Sequence, residues 1–164
     1  MAAFAEGLCS FFGIEKLHPH QVDAISALLN ERDVFLACQT GGGKSLCYQG
    51  FPVALKSVKD SGSSENECEH ADNGVIVIVI TPLISIMKEQ VEILNALGFK
   101  ATYIGRDDTE QASLLDGHFD FIFGSPESIV GNERWRGMIR SPVYQEKLKL
   151  LVTDEAHTVV DWYV

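Results

Sequence analysis

The chain has 164 residues, 46% of them hydrophobic, which is enough for one domain with a packed core and excludes a disordered protein. Its formal net charge of −10 counts against nucleic-acid binding through an overall basic surface, although a local basic groove remains compatible with it. The sequence shows no apolar run of membrane-span length and no cleavable signal at its first residues.

Helical and extended patterns alternate along the chain, which predicts an α/β fold with a mostly parallel sheet and helices on both faces. In the first half, apolar spacing predicts a helix over 21–29 and a short buried strand over 33–38. A further helix is predicted over 44–55, with a kink or early end near Gly50. Residues 56–74 are polar and predict a mobile surface loop.

The second half continues the alternation. Helices are predicted over 83–97, where Gly98 closes the helix, and over 109–115. Runs of β-branched and other apolar residues predict strands over 75–80, 101–104, 119–123 and 148–153. No internal repeat and no second domain is indicated, so residues 1–164 are predicted to form a single domain.

The four cysteines show no C-x-x-C pairing, which indicates reduced thiols in an intracellular protein. Cys68-Glu69-His70 offers only two metal ligands in a polar segment, so an ordinary surface loop is the favoured interpretation there.

A glycine-rich segment follows the strand predicted over 33–38. It consists of Cys38, Gln39, Thr40, Gly41, Gly42, Gly43, Lys44 and Ser45. Glycines lack Cβ, so this backbone can turn tightly and point its N–H groups at an anion. In such a loop Lys44 would reach the β- and γ-phosphates of ATP, and Ser45 Oγ would bind Mg²⁺. Cys38 stands where the G-x-x-x-x-G-K-[ST] pattern has its first glycine, and an ordinary glycine-rich turn is the alternative.

An acidic pair, Asp154-Glu155, follows the strand predicted over 148–153. Ligands of open α/β sheets bind beyond the carboxyl ends of the strands. Asp154 is predicted to hold Mg²⁺ through oxygen, and Glu155 to orient or deprotonate the attacking water. His157 is predicted to sense the γ-phosphate. The alternative is a solvated pair at a strand end, which the glycine-rich segment upstream disfavours.

Five segments together resemble RecQ-type DNA helicases of superfamily 2. They are Phe12–Ile25, Thr40–Gln49, Thr81–Val91, Ser125–Glu127 and Asp154–His157. This resemblance spans nearly the whole chain. It implies the first of two RecA-like domains of a helicase motor, a three-layer P-loop fold. The parent protein would couple Mg²⁺-ATP hydrolysis to 3′-to-5′ strand separation of DNA, and a nuclear location is expected.

The resemblance also implies roles for individual residues. Gln21 would read the adenine edge, where the alternative is an exposed residue at the start of a helix. The single-strand track would be formed by Pro82, Leu83, Ser85, Ser125, Pro126, Glu127 and Trp162. For Ser85 and Ser125 ordinary cap or turn chemistry is an equal alternative, and for Trp162 a core aromatic.

Departures from the family pattern lead to further expectations. Ile14 and His18 stand where the family has an aromatic residue and an arginine that sandwich adenine, which predicts weaker affinity for the base. Asp161 replaces the usual amide or glutamate. The second RecA-like domain and its arginine finger are expected in the parent protein, so the isolated chain is predicted to hydrolyse ATP weakly or not at all.

Two other interpretations stay open. The chain is a nucleotide-binding or interaction module without turnover, or it is an RNA helicase or an unrelated P-loop ATPase. The segment from Thr81 to Gln90 argues against the RNA class, because RNA helicases of the DEAD-box type carry a different sequence there.

Overall fold

A computed structural model describes residues 4–39, 41–60, 74–107 and 110–156. The chain divides into two compact units, Met1–Ala71 and Asp72–Val164. Within the described residues no helix combines the length and the apolar character that crossing a lipid bilayer requires.

The first unit is helical in its described part. Its helices are α1 (Ala5–Phe12), α2 (Pro19–Leu29), α3 (Lys44–Gln49) and α4 (Phe51–Asp60). Helix α2 confirms the helix predicted over 21–29 and starts two residues earlier, because Pro19 has the fixed φ that suits a first helical position. Gly50 separates α3 from α4, as predicted for residues 44–55. A Cβ at Gly50 would lie 3.0 Å from Leu8 Cδ2, so glycine allows the close approach of α1.

Two predictions for the first unit are wrong. Residues 33–38 form no strand, and their side chains are largely in water, with Phe35 85% exposed. The apolar run favours a strand only where a neighbouring strand accepts its hydrogen bonds, and every strand of the described residues belongs to the second unit. The surface loop predicted over 56–74 is also too long, because α4 continues to Asp60. Residues 61–73 lie outside the described part.

The second unit contains a four-stranded sheet. The strands are β1 (Ile76–Ile80), β2 (Ala101–Tyr103), β3 (Phe121–Gly124) and β4 (Leu148–Thr153), in the order β2-β3-β1-β4. All three pairings are parallel, with Ile80 opposite Gly124 on one side and opposite Thr153 on the other. These strands confirm the four predicted for this half of the chain, with small differences at their ends.

Five helices accompany this sheet. They are α5 (Ile84–Ala96), α6 (Gln111–Leu115), α7 (Pro126–Ile129), α8 (Glu133–Arg140) and α9 (Pro142–Lys147). Helices α5 and α6 confirm the predicted ones, and Gly98 follows α5 with φ of +92°. Sequence analysis did not identify α1, α8 or α9.

The core of the second unit lies on the sheet. Strand β1 is buried along its whole length. On one face, Ile76, Ile78 and Ile122 pack with Trp135 of α8 and Tyr144 of α9. Side chains alternate between faces along β3, so Phe121 lies on the face opposite Ile122. There the Phe99 ring contacts the Phe121 ring edge-on, with 5.1 Å between the ring centroids. Strand β4 is outermost, and every second side chain of it is exposed, including Leu151 at 58%.

Candidate nucleotide site and neighbouring loops

The glycine-rich segment forms a tight turn that leads into α3. Gly41 and Gly43 have φ of +80° and +72°, a region that side chains with a Cβ disfavour. The Gly42 N–H donates to the carbonyl oxygen of Gln39 at 3.0 Å, which closes the turn. Thr40, predicted as part of the loop, lies outside the described residues. The backbone conformation of this loop therefore favours glycine at two positions, Gly41 and Gly43.

Lys44, the first residue of α3, folds back on this loop. Its Nζ donates to the carbonyl oxygens of Cys38 at 3.2 Å and Gln39 at 3.4 Å. Ser45 follows in the same helical turn and is partly buried. The loop is thus followed at once by a residue with a positive charge and a residue with a hydroxyl oxygen, the kinds of group that bind a phosphate and its metal ion.

Gln21 joins α2 to the loop. Its side chain is 3% exposed, so the interpretation as an exposed helix-start residue is wrong. The Oε1 atom accepts the His18 N–H at 2.8 Å, and Nε2 donates to the Gly43 carbonyl oxygen at 3.0 Å. A Cβ at Gly43 would lie 2.5 Å from Gln21 Nε2. Both ends of the amide are therefore engaged, one on α2 and one on the loop.

His20 makes a second contact with the loop, which sequence analysis missed. Its Nε2 lies 2.8 Å from the Gly42 carbonyl oxygen. The ring also stacks on His18, with centroids 5.4 Å apart and planes inclined by 7°. The two partners of the hydrogen bond are 22 residues apart, so no local pattern signals the contact.

The two positions expected to sandwich adenine differ in their surroundings. Ile14 packs, partly buried, against the core of the first unit. His18 is exposed and immediately precedes α2. Of these two side chains, His18 is the accessible one.

Cys38 and Cys47 lie close enough to influence each other. Burial raises the pKa of the Cys47 thiol to about 11, and the neighbouring Cys38 adds to the effect. Cys47 therefore stays a neutral thiol at physiological pH and acts as a small apolar group in the core beneath the loop.

In the second unit, three of the predicted site segments meet at one edge of the sheet. Thr81 follows β1, and its N–H donates to the Gly124 carbonyl oxygen at 3.0 Å. Asp154 follows β4, and its N–H donates to the Ile80 carbonyl oxygen at 2.8 Å. Because the strands are parallel, the loops that begin at Thr81, Ser125 and Asp154 all leave the carboxyl edge, where ligands of such sheets bind.

The acidic pair forms a compact turn at this edge. Asp154 Oδ1 accepts the Glu155 N–H at 3.0 Å, and both residues are partly buried. Glu155 has φ of +53°, a left-handed conformation that is costly for a residue with a Cβ. Such strain is concentrated at functional sites. His157 and Trp162 lie outside the described residues.

The Asp154 carboxylate and the Ser45 hydroxyl, each considered within its own unit, offer oxygen atoms of the kind that Mg²⁺ prefers. In nucleotide sites this ion takes one or two protein oxygens and completes its shell with phosphates and water. Within the described ranges no cluster of three or more His, Cys, Asp or Glu side chains is present. A metal ion held by few protein ligands is compatible with that finding.

The segments expected to follow DNA differ in exposure. Leu83 and Ser85 are exposed, and Ser85 lies inside α5 and not at its N-cap. Ser125 is the N-cap of α7, where its Oγ accepts the Ser128 N–H at 3.2 Å, so cap chemistry is confirmed for this serine. Backbone N–H groups and the Ser125 hydroxyl lower the pKa of Glu127. Pro82 is partly buried, whereas Pro126 is buried.

Comparison with known proteins agrees with this geometry. The model of the DEAD/DEAH box helicase family matches residues 18–164. ATP-dependent helicase SGS1 of Saccharomyces cerevisiae is 37% identical over 92% of this chain, which spans 10% of that protein. The probable ATP-dependent DNA helicase RecS of Bacillus subtilis is 30% identical over 99% of the chain and 29% of its own length.

A solved structure shows the same fold. The crystal structure of the DUF1998 helicase MrfA bound to DNA and AMPPNP superposes on this chain with a TM-score of 0.66 and 17% sequence identity. The match covers 93% of this chain and 20% of the MrfA chain. The chain thus has a RecA-like α/β fold and spans less than a third of the relatives that it matches. It belongs to the DEAD/DEAH box helicase family, and its relatives are RecQ-type ATP-dependent DNA helicases.

Proposed function

We propose that this chain is the ATP-binding part of a RecQ-like helicase motor, which in the whole protein couples ATP hydrolysis to 3′-to-5′ separation of DNA strands. The observation that carries the proposal is the carboxyl edge of the sheet, where the backbone bond from Asp154 to Ile80 places the acidic pair beside the loops after β1 and β3. The yeast relative is named an ATP-dependent helicase and the Bacillus subtilis relative a probable ATP-dependent DNA helicase, which supports ATP and DNA as ligands.

Each site residue then has a chemical role. The Lys44 ammonium exchanges its carbonyl partners for phosphate oxygens, because ionised phosphate oxygens attract the ammonium more strongly than neutral carbonyl oxygens do. By the family resemblance, Ser45 and Asp154 would be the residues that hold Mg²⁺, and the ion would neutralise phosphate charge when bound. Glu155 accepts a proton from the attacking water as the new bond to the γ-phosphorus forms and the bond to the bridging oxygen breaks, which gives ADP and phosphate.

The remaining roles follow the family resemblance. Gln21 and the exposed His18 contact the base, and His157 senses the γ-phosphate. The loops at Pro82–Ser85 and Ser125–Glu127, with Trp162, hold a single strand through its backbone and so need no sequence-specific contact. A nuclear location and a second RecA-like domain in the parent protein belong to the same proposal.

The test is Mg²⁺-ATP binding by this chain and Mg²⁺-ATP turnover by the parent protein, each with and without single-stranded DNA. Glu155→Gln keeps the size of the side chain but removes the base, so binding is expected to stay and turnover by the parent protein to fall at least tenfold. Glu146→Gln, an exposed position on α9, is the matched control and should change neither. Failure of the native chain to bind ATP would refute the proposal.

A module that binds nucleotide without turnover is the second candidate. The formal net charge of −10 favours it, because this charge opposes DNA binding by the segment alone. ATP binding that depends on Mg²⁺, with no turnover by the parent protein in the presence or absence of single-stranded DNA, would support this candidate over the motor.

A further inference from the structure

The contact between His20 and the glycine-rich loop has no role in the proposal above. His20 Nε2 lies 2.8 Å from the carbonyl oxygen of Gly42, while the neighbouring Gln21 donates to the carbonyl oxygen of Gly43. Two consecutive residues of α2 thus hold two consecutive carbonyl groups of the loop. A carbonyl oxygen only accepts, so the His20 ring carries its proton on Nε2 in this contact.

By fixing these two carbonyl groups, the bonds from His20 and Gln21 also determine the direction of the N–H groups in the same peptide planes. Each peptide plane is rigid, so a carbonyl that is held toward α2 turns the N–H of the next residue away from α2. The carbonyl of Gly42 belongs to the peptide whose N–H is that of Gly43, and the carbonyl of Gly43 to the peptide whose N–H is that of Lys44. His20 and Gln21 therefore set the orientation of the two amides that precede and begin α3.

The geometry points to His20 as a positioning residue: its Nε2–H holds the Gly42 carbonyl so that the loop presents its N–H groups to phosphate. This inference rests on the proposed nucleotide site. It differs from the role of Gln21, because Gln21 is expected to affect the choice of base as well as the loop, whereas the bond from His20 is expected to affect phosphate binding alone. The stack of His20 on His18 keeps the ring in place for that bond.

Three variants separate the hydrogen bond from the ring. His20→Ala removes both, His20→Phe keeps a ring that can stack on His18 but has no donor, and His20→Gln keeps an N–H donor without the ring. His118→Ala, at an exposed histidine of the second unit, is the control. Each variant is titrated with Mg²⁺-ATP, Mg²⁺-GTP and inorganic tripolyphosphate.

The loss of one hydrogen bond predicts about three- to tenfold weaker binding of ATP and tripolyphosphate in His20→Ala and His20→Phe. In His20→Phe, which keeps a ring that can stack on His18, the ratio of ATP to GTP affinity should not change. His20→Gln should recover tripolyphosphate affinity to within about twofold of the native chain. A changed ATP-to-GTP ratio in His20→Phe would overturn the inference, as would native tripolyphosphate affinity in both the Ala and Phe variants.

Hydrogen exchange without nucleotide tests the same bond independently of the proposed function. The amides of Gly42 and Leu46 are hydrogen-bonded within the loop region, to Gln39 and Gly43. They should exchange at least threefold faster in His20→Ala and His20→Phe than in the native chain and in His20→Gln. Unchanged exchange would refute the positioning role even if the chain binds ATP. Altered exchange in a chain that binds no ATP would instead refute the proposed function.

Discussion

The side-chain amide of Gln21 donates from Nε2 to the carbonyl oxygen of Gly43 at a distance of 3.0 Å. The contact is so close that Gly43 has no room for a Cβ, which would lie 2.5 Å from the same nitrogen. A helix that precedes the loop in sequence thus restricts the loop's composition at a position 22 residues later.

Gly43→Ala is expected to destabilise the loop more than Gly41→Ala. Both glycines have positive φ, which costs about 1–2 kcal/mol for any residue with a Cβ. Only the alanine at position 43 would also displace Gln21, because nothing lies within 4 Å of a Cβ at Gly41. Chemical denaturation of the two variants measures the difference in unfolding free energy. The explanation is wrong if Gln21→Ala does not reduce the excess cost of Gly43→Ala in a double-mutant cycle.

Two buried threonines of the second unit provide a matched pair. Thr81 and Thr102 are both fully buried, but Thr102 Oγ1 donates to Glu110, whereas Thr81 Oγ1 has no hydrogen-bond partner in the part of the chain that the structure describes. Thr102→Val should cost about 1–3 kcal/mol, because it removes a hydrogen bond to the partly buried, charged carboxylate of Glu110. Thr81→Val should be neutral or stabilising. Thermal unfolding of both variants checks the order, and equal losses would contradict it.

The raised pKa of the Cys47 thiol predicts that the folded chain loses stability at alkaline pH. The pKa of its thiol rises from the ordinary 9.0 to about 11 in the folded chain, mainly through burial. The unfolded chain therefore loses this proton first, and the stability that Cys47 contributes falls as pH increases from about 9 to 11. Unfolding by urea across this range should show a steeper decline for the native chain than for Cys47→Ala. Parallel curves for the two chains would argue against the shift.

Two substitutions at Ser125 distinguish its role as the N-cap of α7 from its expected role in DNA binding. Ser125→Ala removes the bond to the Ser128 N–H and should cost about 1 kcal/mol. Ser125→Asp keeps a cap acceptor but adds a negative charge beside Glu127, so it should retain part of the stability that the cap contributes and weaken binding of single-stranded DNA. Thermal unfolding and fluorescence anisotropy with labelled DNA measure the two effects. If Ser125→Asp binds single-stranded DNA as tightly as the native chain does, Ser125 has only a structural role.

Sequence patterns predicted the second unit well because its strands are unambiguous. β1 is a run of five β-branched residues, and a strand buried on both faces needs no alternation. Residues 33–38 show a similar apolar run but form no strand in the structure. Pattern alone could not decide this, because a strand depends on a partner that is distant in sequence. Helix α8 was missed because charged residues dominate it, although Trp135, Met138 and Ile139 follow helical spacing.

The sequence indicated candidate site residues through their motifs, but it did not indicate the contacts that these residues make. Lys44 and Asp154 belong to recognisable motifs, whereas the bonds from Gln21 and His20 to the loop join residues 22 positions apart. The positive φ of Glu155 could not be predicted either, because nothing in the sequence distinguishes a glutamate with a left-handed backbone conformation from one with a right-handed helical conformation.

The outer position of β4 has a consequence for the isolated chain. In the described sheet β4 pairs on one side only, with β1, and such an edge is a template for a strand of another molecule. Lys149 and Thr153 flank Leu151 on the exposed face of this strand. A charged residue on an edge strand discourages intermolecular pairing. The resistance of this edge to aggregation therefore depends largely on the positive charge of Lys149.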